Sequence, residues 1–509
     1  MKVISSKEMQ ALEINAEYYG ISRLQMMENA GKSIADEIAS RFKPEKTKVA
    51  IFCGLGGNGG DGFVAARHLL TKGFNVTVII AGKTTQIKHE AALKNWKAVE
   101  NLRNKIKIYE VYDSSFIPEI KAEVIVDALL GIGIKGAPKP PIAQLIEKIN
   151  RMKAFKIAVD IPSGLNSDTG KPEKPTFKAD ITLTFYKRKI GLETPEAKKY
   201  AGKVIVKDIG LPHELENYAG PGDVKLVIKP RPATAHKGDF GKLLIVGGSE
   251  TYSGAPALAA LAALKTGVDL TYIAAPEKTA STISTFSPNL ITIKLKGTFL
   301  KPENLSTLKE IVKQVTAVII GPGLGLHEET KRTVLTLIEA VEKAGKPLLL
   351  DADGLKAFAE NGRKLKTRAV LTPHAGEFRM LSGRTLPEQL DERAKEVQKI
   401  AKKFGATVLL KSHVDVIANS ERVKFNFTGN PGMTVGGTGD VLSGIVGAFL
   451  AQENEPFEAA VAGAFVNGAC GDLAVKEKGY HITATDLLEW IPRVIDDPMI
   501  HAKVRDFAK

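Results

Sequence analysis

Short apolar runs alternate along this chain with longer segments whose apolar positions recur at helical spacing. In the front half the runs are Val49–Cys53, Val76–Ala81, Ile106–Val111, Val124–Leu129, Lys156–Asp160 and Ile181–Phe185. In the rear half they are Leu243–Val246, Tyr272–Ala275, Ala317–Ile320, Leu348–Asp351, Ala369–Leu371 and Val408–Lys411. Continuous apolar runs mark strands covered on both faces. The alternation therefore predicts α/β architecture in two domains, each built on a parallel, doubly wound sheet. Val414–Ala418 and Val423–Phe427 read as a hairpin adding antiparallel strands to the second sheet. Ser5-x-x-Glu8 and Ser22-x-x-Gln25 are capping boxes that open two helices at the front. The stretch Leu211–Asp223 is punctuated by Pro and Gly and holds no period, so the domains are expected over 1–219 and 227–502. No short internal repeat is found.

Composition narrows the class. The chain has 509 residues, 44% hydrophobic and 6% aromatic, enough for two sizeable cores. Its 47 glycines cluster beside apolar runs, as in nucleotide-type turns. The formal charge of +14 raises the question of nucleic acid. The basic residues, such as Lys331-Arg332 and Lys402-Lys403, are scattered through amphipathic segments, with no basic tail and no aromatic-interleaved patch. They read as a solvated surface that attracts anionic ligands, with no nucleic-acid partner. Cys53 and Cys470 are too few and too far apart for a disulfide framework or a zinc site. No signal-peptide core and no apolar run of membrane-spanning length are present, so a cytoplasmic protein with no membrane partner is expected.

Chemistry concentrates at strand ends. Gly436-Gly-Thr-Gly-Asp-Val-Leu-Ser-Gly444 leaves backbone N–H groups uncovered before a helix, a cradle for phosphate. Asp440 beside it would repel phosphate but could take a proton from a hydroxyl about to meet a phosphoryl group. The plain alternative is an aspartate helix cap. Gly321-Pro-Gly-Leu-Gly325, Thr372-Pro-His-Ala-Gly-Glu377 and Lys411-Ser-His-Val-Asp415 also follow strands, and could converge on one crevice. His374 and Lys411 could contact ligand or lie solvated. Glu377 could hold Mg²⁺ through water or cap a helix, and Asp351 and Asp353 could be caps.

The front half repeats the theme. Gly54-Leu-Gly-Gly-Asn-Gly-Gly-Asp-Gly62 joins a strand to a helix. Asp127 ends one strand and runs into Gly131-Ile-Gly-Ile-Lys-Gly-Ala137, while Asp160 ends another and leads into Ile161-Pro-Ser-Gly164. Asn58, Asp127 and the Ser163 region could offer hard oxygens to a cation.

These motifs carry two resemblances. Asn58-Gly-Gly-Asp-Gly62, Asp127-Ala-Leu-Leu-Gly-Ile-Gly133 and Asp160-Ile-Pro-Ser-Gly164 resemble the YjeF N-terminal family, the NAD(P)H-hydrate epimerases. That resemblance covers about the first 210 residues and implies a Rossmann-like sheet. It implies potassium at Asn58, Asp127 and Ser163. It implies substrate contacts at Gly57, Asn58, Gly59, Gly60 and Asp61, at Gly131, Ile132, Gly133, Ile134, Lys135, Gly136 and Ala137, and at Asp160. The rear motifs, with His236-Lys-Gly-Asp-Phe-Gly-Lys242, Val246-Gly-Gly-Ser249 and Ser253-Gly-Ala-Pro-Ala257, resemble the ribokinase-like superfamily. Within it they are similar to the ADP/ATP-dependent NAD(P)H-hydrate dehydratases. That implies substrate contacts at Ala255, Gly323, His374 and Asp440. It implies adenine-nucleotide contacts at Lys411, Ser412, His413, Val414, Asp415 and Gly439, with Mg²⁺ and ADP or ATP as co-substrate. Lys411 is followed by Ser412 where that family commonly has glycine.

Together the resemblances imply a bifunctional repair enzyme that epimerises hydrated NADH and NADPH (NADHX and NADPHX) and dehydrates the S form. Asp160 is the expected acid/base of the first reaction and Asp440 the base of the second. A homo-oligomer is expected by the same resemblance. The rear half alone also fits a kinase of a vitamin-precursor alcohol. The front half alone also fits a non-catalytic interaction or RNA-binding module, although its Asn58, Asp61, Asp127 and Asp160 speak for catalysis.

Overall fold

A computed structural model describes residues 3–133, 136–360 and 362–505. Ile134 and Lys135 of the expected substrate loop lie outside the described residues. The chain divides into two compact units, Met1–His213 and Glu214–Lys509.

The first unit opens with two helices, α1 (Ser6–Tyr18) and α2 (Arg23–Arg41), both begun by the expected capping boxes. Its sheet has seven parallel strands: β1 (Lys48–Cys53), β2 (Asn75–Ala81), β3 (Lys107–Val111), β4 (Val124–Ala128), β5 (Phe155–Val159), β6 (Ile181–Phe185) and β7 (Lys203–Lys207). Their spatial order is 3-2-1-4-5-6-7. Ile51 of β1 pairs with Val78 on one side and Val126 on the other. The order reverses between β1 and β4, and ligands of such sheets bind beyond the carboxyl ends at that reversal. Both faces of β1 are covered. Ala50 and Phe52 pack with Leu145, Ile146 and Ile149. On the other face lies α3 (Gly57–Thr71), where a Cβ at Gly62 would come 2.7 Å from Cys53 Sγ. Each such buried side chain contributes roughly 1.5–3 kcal/mol.

The second unit repeats the scheme over nine strands: β8 (Lys242–Val246), β9 (Leu270–Pro276), β10 (Ile291–Leu295), β11 (Ala317–Ile320), β12 (Leu348–Leu350), β13 (Ala369–Leu371), β14 (Thr407–Leu410), β15 (Asp415–Ala418) and β16 (Val423–Asn426). The order is 10-9-8-11-12-13-14-15-16, parallel through β14 and antiparallel across the expected hairpin. The order reverses here between β8 and β11. The segment from Glu214, expected to close the front domain, packs in this unit instead. Ala219 donates its N–H to the Phe425 carbonyl at 2.8 Å, and Lys424 Nζ meets Asp223 at 2.6 Å.

The hydrophobic pattern omits β7 and β10. Both are edge strands; in β7 Lys203 and Val206 are exposed, and Val204, Ile205 and Lys207 half-buried. In these two edge strands partial exposure and charged positions, which also discourage further pairing, leave no long buried apolar run to mark them. The two-residue parallel pair Val3–Ile4 with Arg188–Lys189 is also absent from the pattern. Among the described residues no helix is long and apolar enough to cross a membrane.

Candidate active sites

In the first unit the loops after β1, β4 and β5 meet at the reversal point. A Cβ at Gly54 would strike the Leu129 carbonyl, so only glycine lets these two loops touch. Helix α3 starts at Gly57 behind Gly56, with no side chain capping its first N–H groups. Asn58 Nδ2 donates to the Leu130 carbonyl at 3.0 Å. Ser163 donates to Asp127 twice, from its backbone N–H at 2.8 Å and its hydroxyl at 2.6 Å, and its Oγ accepts from Leu130 N–H at 2.9 Å. Asn58, Asp127 and Ser163 are thus gathered around the Leu130 peptide.

Asp127 is fully buried, and burial pushes its carboxyl up to about 6 against the hydrogen bonds from Ser163 and Leu129. Among the described residues no basic side chain pairs with it. A buried carboxylate without a cation, beside amide and hydroxyl oxygens, is a donor set suited to a hard monovalent ion.

Asp160 takes a left-handed backbone, φ +62°, at the end of β5. Its Oδ1 accepts from Lys189 Nζ at 2.5 Å, the Thr184 hydroxyl at 3.0 Å and Phe185 N–H at 3.2 Å. Lys189 is fully buried and also donates to the Phe185 carbonyl at 3.0 Å. Two more acids share this space. Burial, then the charges of Asp160 and Glu13, raise Asp61 well above the carboxylate range. Burial, then Asp160, push Glu13 up to about 7, with Lys189 and Arg23 partly offsetting. Sequence reading missed Lys189, Thr184 and Glu13. Lys189 sits in the triplet Lys187-Arg-Lys, which reads as surface, and Glu13 is one acid among several on α1.

In the second unit the site is built on Asp351, at the end of β12. Its Oδ1 accepts from Lys411 Nζ at 2.9 Å and the Thr372 hydroxyl at 2.8 Å, and its Oδ2 from the Ser443 hydroxyl at 2.6 Å. Burial alone would raise it, but Lys411 and the two hydroxyls hold it below its usual range. Burial likewise opposes the Lys411 charge, yet Asp351 and Glu377 keep it above the ordinary lysine value. Asp351 and Lys411 are therefore an ion pair at the cleft floor, not the separate caps or solvated ends considered from sequence. Removing one partner of such a pair costs about 3–5 kcal/mol. Lys411→Met is expected to lose about 3 kcal/mol, the hydroxyl bonds to Asp351 softening the loss; urea unfolding followed by circular dichroism measures it.

Helix α4 (Thr438–Ala451) starts at Gly437, whose φ of +98° suits glycine, with no side-chain cap. Nothing lies within 4 Å of a Cβ at Gly436, and one at Gly439 would stand 3.5 Å from Lys411 Nζ. The glycine turn is open, uncapped and next to a cation, as an anion site requires. Asp440 lies three residues inside, so it is not the cap. Burial, then repulsion from Asp351, push its carboxyl up to about 7, against the pull of Lys411. No protein group hydrogen-bonds its carboxyl among the described residues.

His374, expected in a loop, is the N-cap of a helix, Ala375–Ser382. Its Nδ1 accepts from Gly376 N–H at 3.0 Å, while Glu377 accepts from His374 N–H at 3.0 Å. The cap occupies Nδ1, and Nε2 lies 3.4 Å from Glu377 Oε1. Burial raises Glu377. Gly323 and Ala255 adjoin, a Cβ on Gly323 falling 3.5 Å from that of Ala255. Asp415 closes the 411–415 loop by accepting from Ser412 N–H at 3.0 Å and Asn426 Nδ2 at 3.0 Å. Burial pushes it up to about 6. Its carboxylate is thus engaged by the protein's own loop.

The NAD(P)H-hydrate dehydratase family model matches residues 243–493, and that of the YjeF-related protein N-terminus matches 23–191. A bifunctional NAD(P)H-hydrate repair enzyme of Hyperthermus butylicus is 43% identical over 504 residues, covering 98% of this chain and 93% of its own. One from Pyrobaculum aerophilum is 44% identical over 501 residues, covering 97% and 98%. A solved structure of an ADP/ATP-dependent NAD(P)H-hydrate dehydratase from Bacillus subtilis is 27% identical, covers 55% of this chain and 98% of its own, and has a TM-score of 0.48. Two strand-end clefts of different chemistry, each within its own family match and joined in one chain as in full-length relatives, place this chain in the family of bifunctional NAD(P)H-hydrate repair enzymes.

Proposed function

We propose that the two clefts divide one repair between them. The first interconverts the R and S hydrates of NADH and NADPH, and the second dehydrates the S form at the expense of ADP or ATP. The family membership supports the pair of activities over a vitamin-precursor kinase fused to a silent module.

The observation that carries the second half is the placement of Asp440. It stands beside, not in, an open glycine turn, with a carboxyl that titrates near neutrality. Asp440 takes the proton of the ring hydroxyl as that oxygen attacks the terminal phosphoryl group, held at Gly436–Gly439 and near Lys411. Phosphate then leaves with the oxygen, driven by the lone pair of the ring nitrogen, and NAD(P)H is restored. Magnesium bound with the nucleotide would supply charge neutralisation, and Glu377 would help to hold it through water. Ala255, Gly323 and the exposed His374 side chain line the substrate end, and residues 411–415 the nucleotide end. In the first cleft, Asp127, Asn58 and Ser163 would hold potassium, which would supply positive charge to the cleft. Asp160 is its acid/base.

The test is incubation of each purified hydrate epimer with the protein and ADP or ATP, with reduced nicotinamide followed by absorbance. The S form is expected to yield NADH directly and the R form after a lag. Replacing potassium with choline is expected to lengthen the R lag and leave the S rate unchanged. Accumulation of a phosphorylated product in place of NADH would overturn the dehydratase reading.

A further inference from the structure

The family match to the first unit begins at residue 23, so α1 lies before it. Yet α1 belongs to the cleft. Its first turn is tied to the segment after β5, where Asp168 accepts from Ser6 N–H at 2.7 Å and from the Ser6 hydroxyl at 2.6 Å. One turn on, Gln10 lies against the loop after β4, its Nε2 3.7 Å from where a Cβ of Gly133 would stand. Glu13 follows three residues later and so lies on the same helix face. The groups that act on it are Asp160, Lys189 and Arg23, and Glu13 in turn acts on Asp61.

We propose that Glu13 is a second catalytic residue of the epimerase, donating the proton that lets the ring hydroxyl depart while Asp160 receives one from the returning water. The inference rests on the epimerase reading of this cleft and on Asp160 as its base. The chemistry asks for two groups, because the two epimers carry their hydroxyl on opposite faces of the ring. A single carboxyl would have to serve both faces or the ring would have to turn over in the cleft. The two acids come from different elements, Asp160 from a strand end and Glu13 from the helix tied to the loops beside it.

They are also held in different states. Asp160 accepts three hydrogen bonds, one from a buried ammonium. Glu13 has no hydrogen-bond partner for its carboxyl among the described residues and titrates at about 7. Acid and base roles divide along such differences of environment. As the carbon–oxygen bond breaks, the nitrogen lone pair forms a carbon–nitrogen double bond. The hydroxyl takes the Glu13 proton and leaves as water. A water then adds from the other face, the electron pair returns to nitrogen, and the surplus proton passes to the Asp160 carboxylate. One proton has moved from Glu13 to Asp160, and exchange with solvent resets both.

Glu13→Gln and Glu13→Asp in the full-length protein test this, with R-to-S conversion measured beside dehydration of pure S hydrate. Glu13→Gln is expected to lower epimerase kcat by about 100-fold and leave dehydration unchanged. Wild-type epimerase kcat/KM is expected to fall as pH rises through about 7, where Glu13 loses its proton. That limb should vanish in Glu13→Gln and persist, at reduced rate, in Glu13→Asp. A Glu13→Gln rate within about threefold of wild type, or retention of the limb, overturns the proposal. Failure of the wild-type protein to epimerise at all would instead remove the reading on which it rests.

Discussion

Asp440→Asn is expected to lower nucleotide-driven dehydration by about a thousandfold while R-to-S epimerisation continues at the wild-type rate. Asparagine has the size of aspartate and fits the same helical position, but it cannot take the hydroxyl proton. The wild-type carboxyl titrates at about 7 because it is buried and faces Asp351. The base form therefore increases as pH climbs through about 7, and dehydratase kcat/KM should rise over that window and level off above it. The residual rate of the asparagine variant should be flat there. Stability runs the other way. A carboxyl raised in the folded state favours folding fully below the unfolded value near 4, and this contribution is lost as pH rises through about 7. Asp440→Asn should therefore melt no lower than wild type at pH 8. Loss of activity with a lowered melting temperature would point to damage to the fold and not to a missing base.

Asp160→Asn carries the second large effect, an expected fall in epimerisation of about 100-fold or more with dehydration of S hydrate intact. The backbone does not confound this exchange, since asparagine accepts the left-handed conformation found at φ +62°. Its carbonyl oxygen can still accept from Thr184 and Phe185. What is lost is the negative charge facing Lys189, whose side chain is 1% exposed. An unpaired buried ammonium costs about 3–5 kcal/mol, so the first unit is expected to melt earlier. Adding Lys189→Met should restore much of that stability and none of the activity. Recovery of epimerisation in the double variant would show that Asp160 serves only to neutralise the lysine.

Much of both clefts was legible because it is local in the chain. Gly54–Gly62 and Gly131–Gly133 each follow a strand within a few residues, Gly436–Gly444 opens a helix, and each is glycine-rich so that backbone can approach backbone or ligand. Asp127, Asp160 and Asp440 sit at or just beyond such junctions, so alternation of apolar and helical segments located them. His374 is a partial case. Its place beside the cleft was legible, but the helix that it caps depends on a hydrogen bond from its own N–H to the Glu377 carboxylate that loop composition does not signal.

The apolar pattern by itself determined two doubly wound α/β units, their central strands, and the strand ends where chemistry would gather, because burial on both faces of a sheet writes itself as continuous apolar runs. It did not determine the edge strands β7 and β10, which are half-exposed and charged, nor the start of the second unit at Glu214, which rests on pairing with Phe425. The tertiary structure alone decided which charges meet. Lys189 and Glu13 come to Asp160, and Lys411 comes to Asp351 beside Gly439, from segments distant in the chain. Their protonation follows from desolvation and from neighbours across the fold, quantities that no residue carries in its own identity.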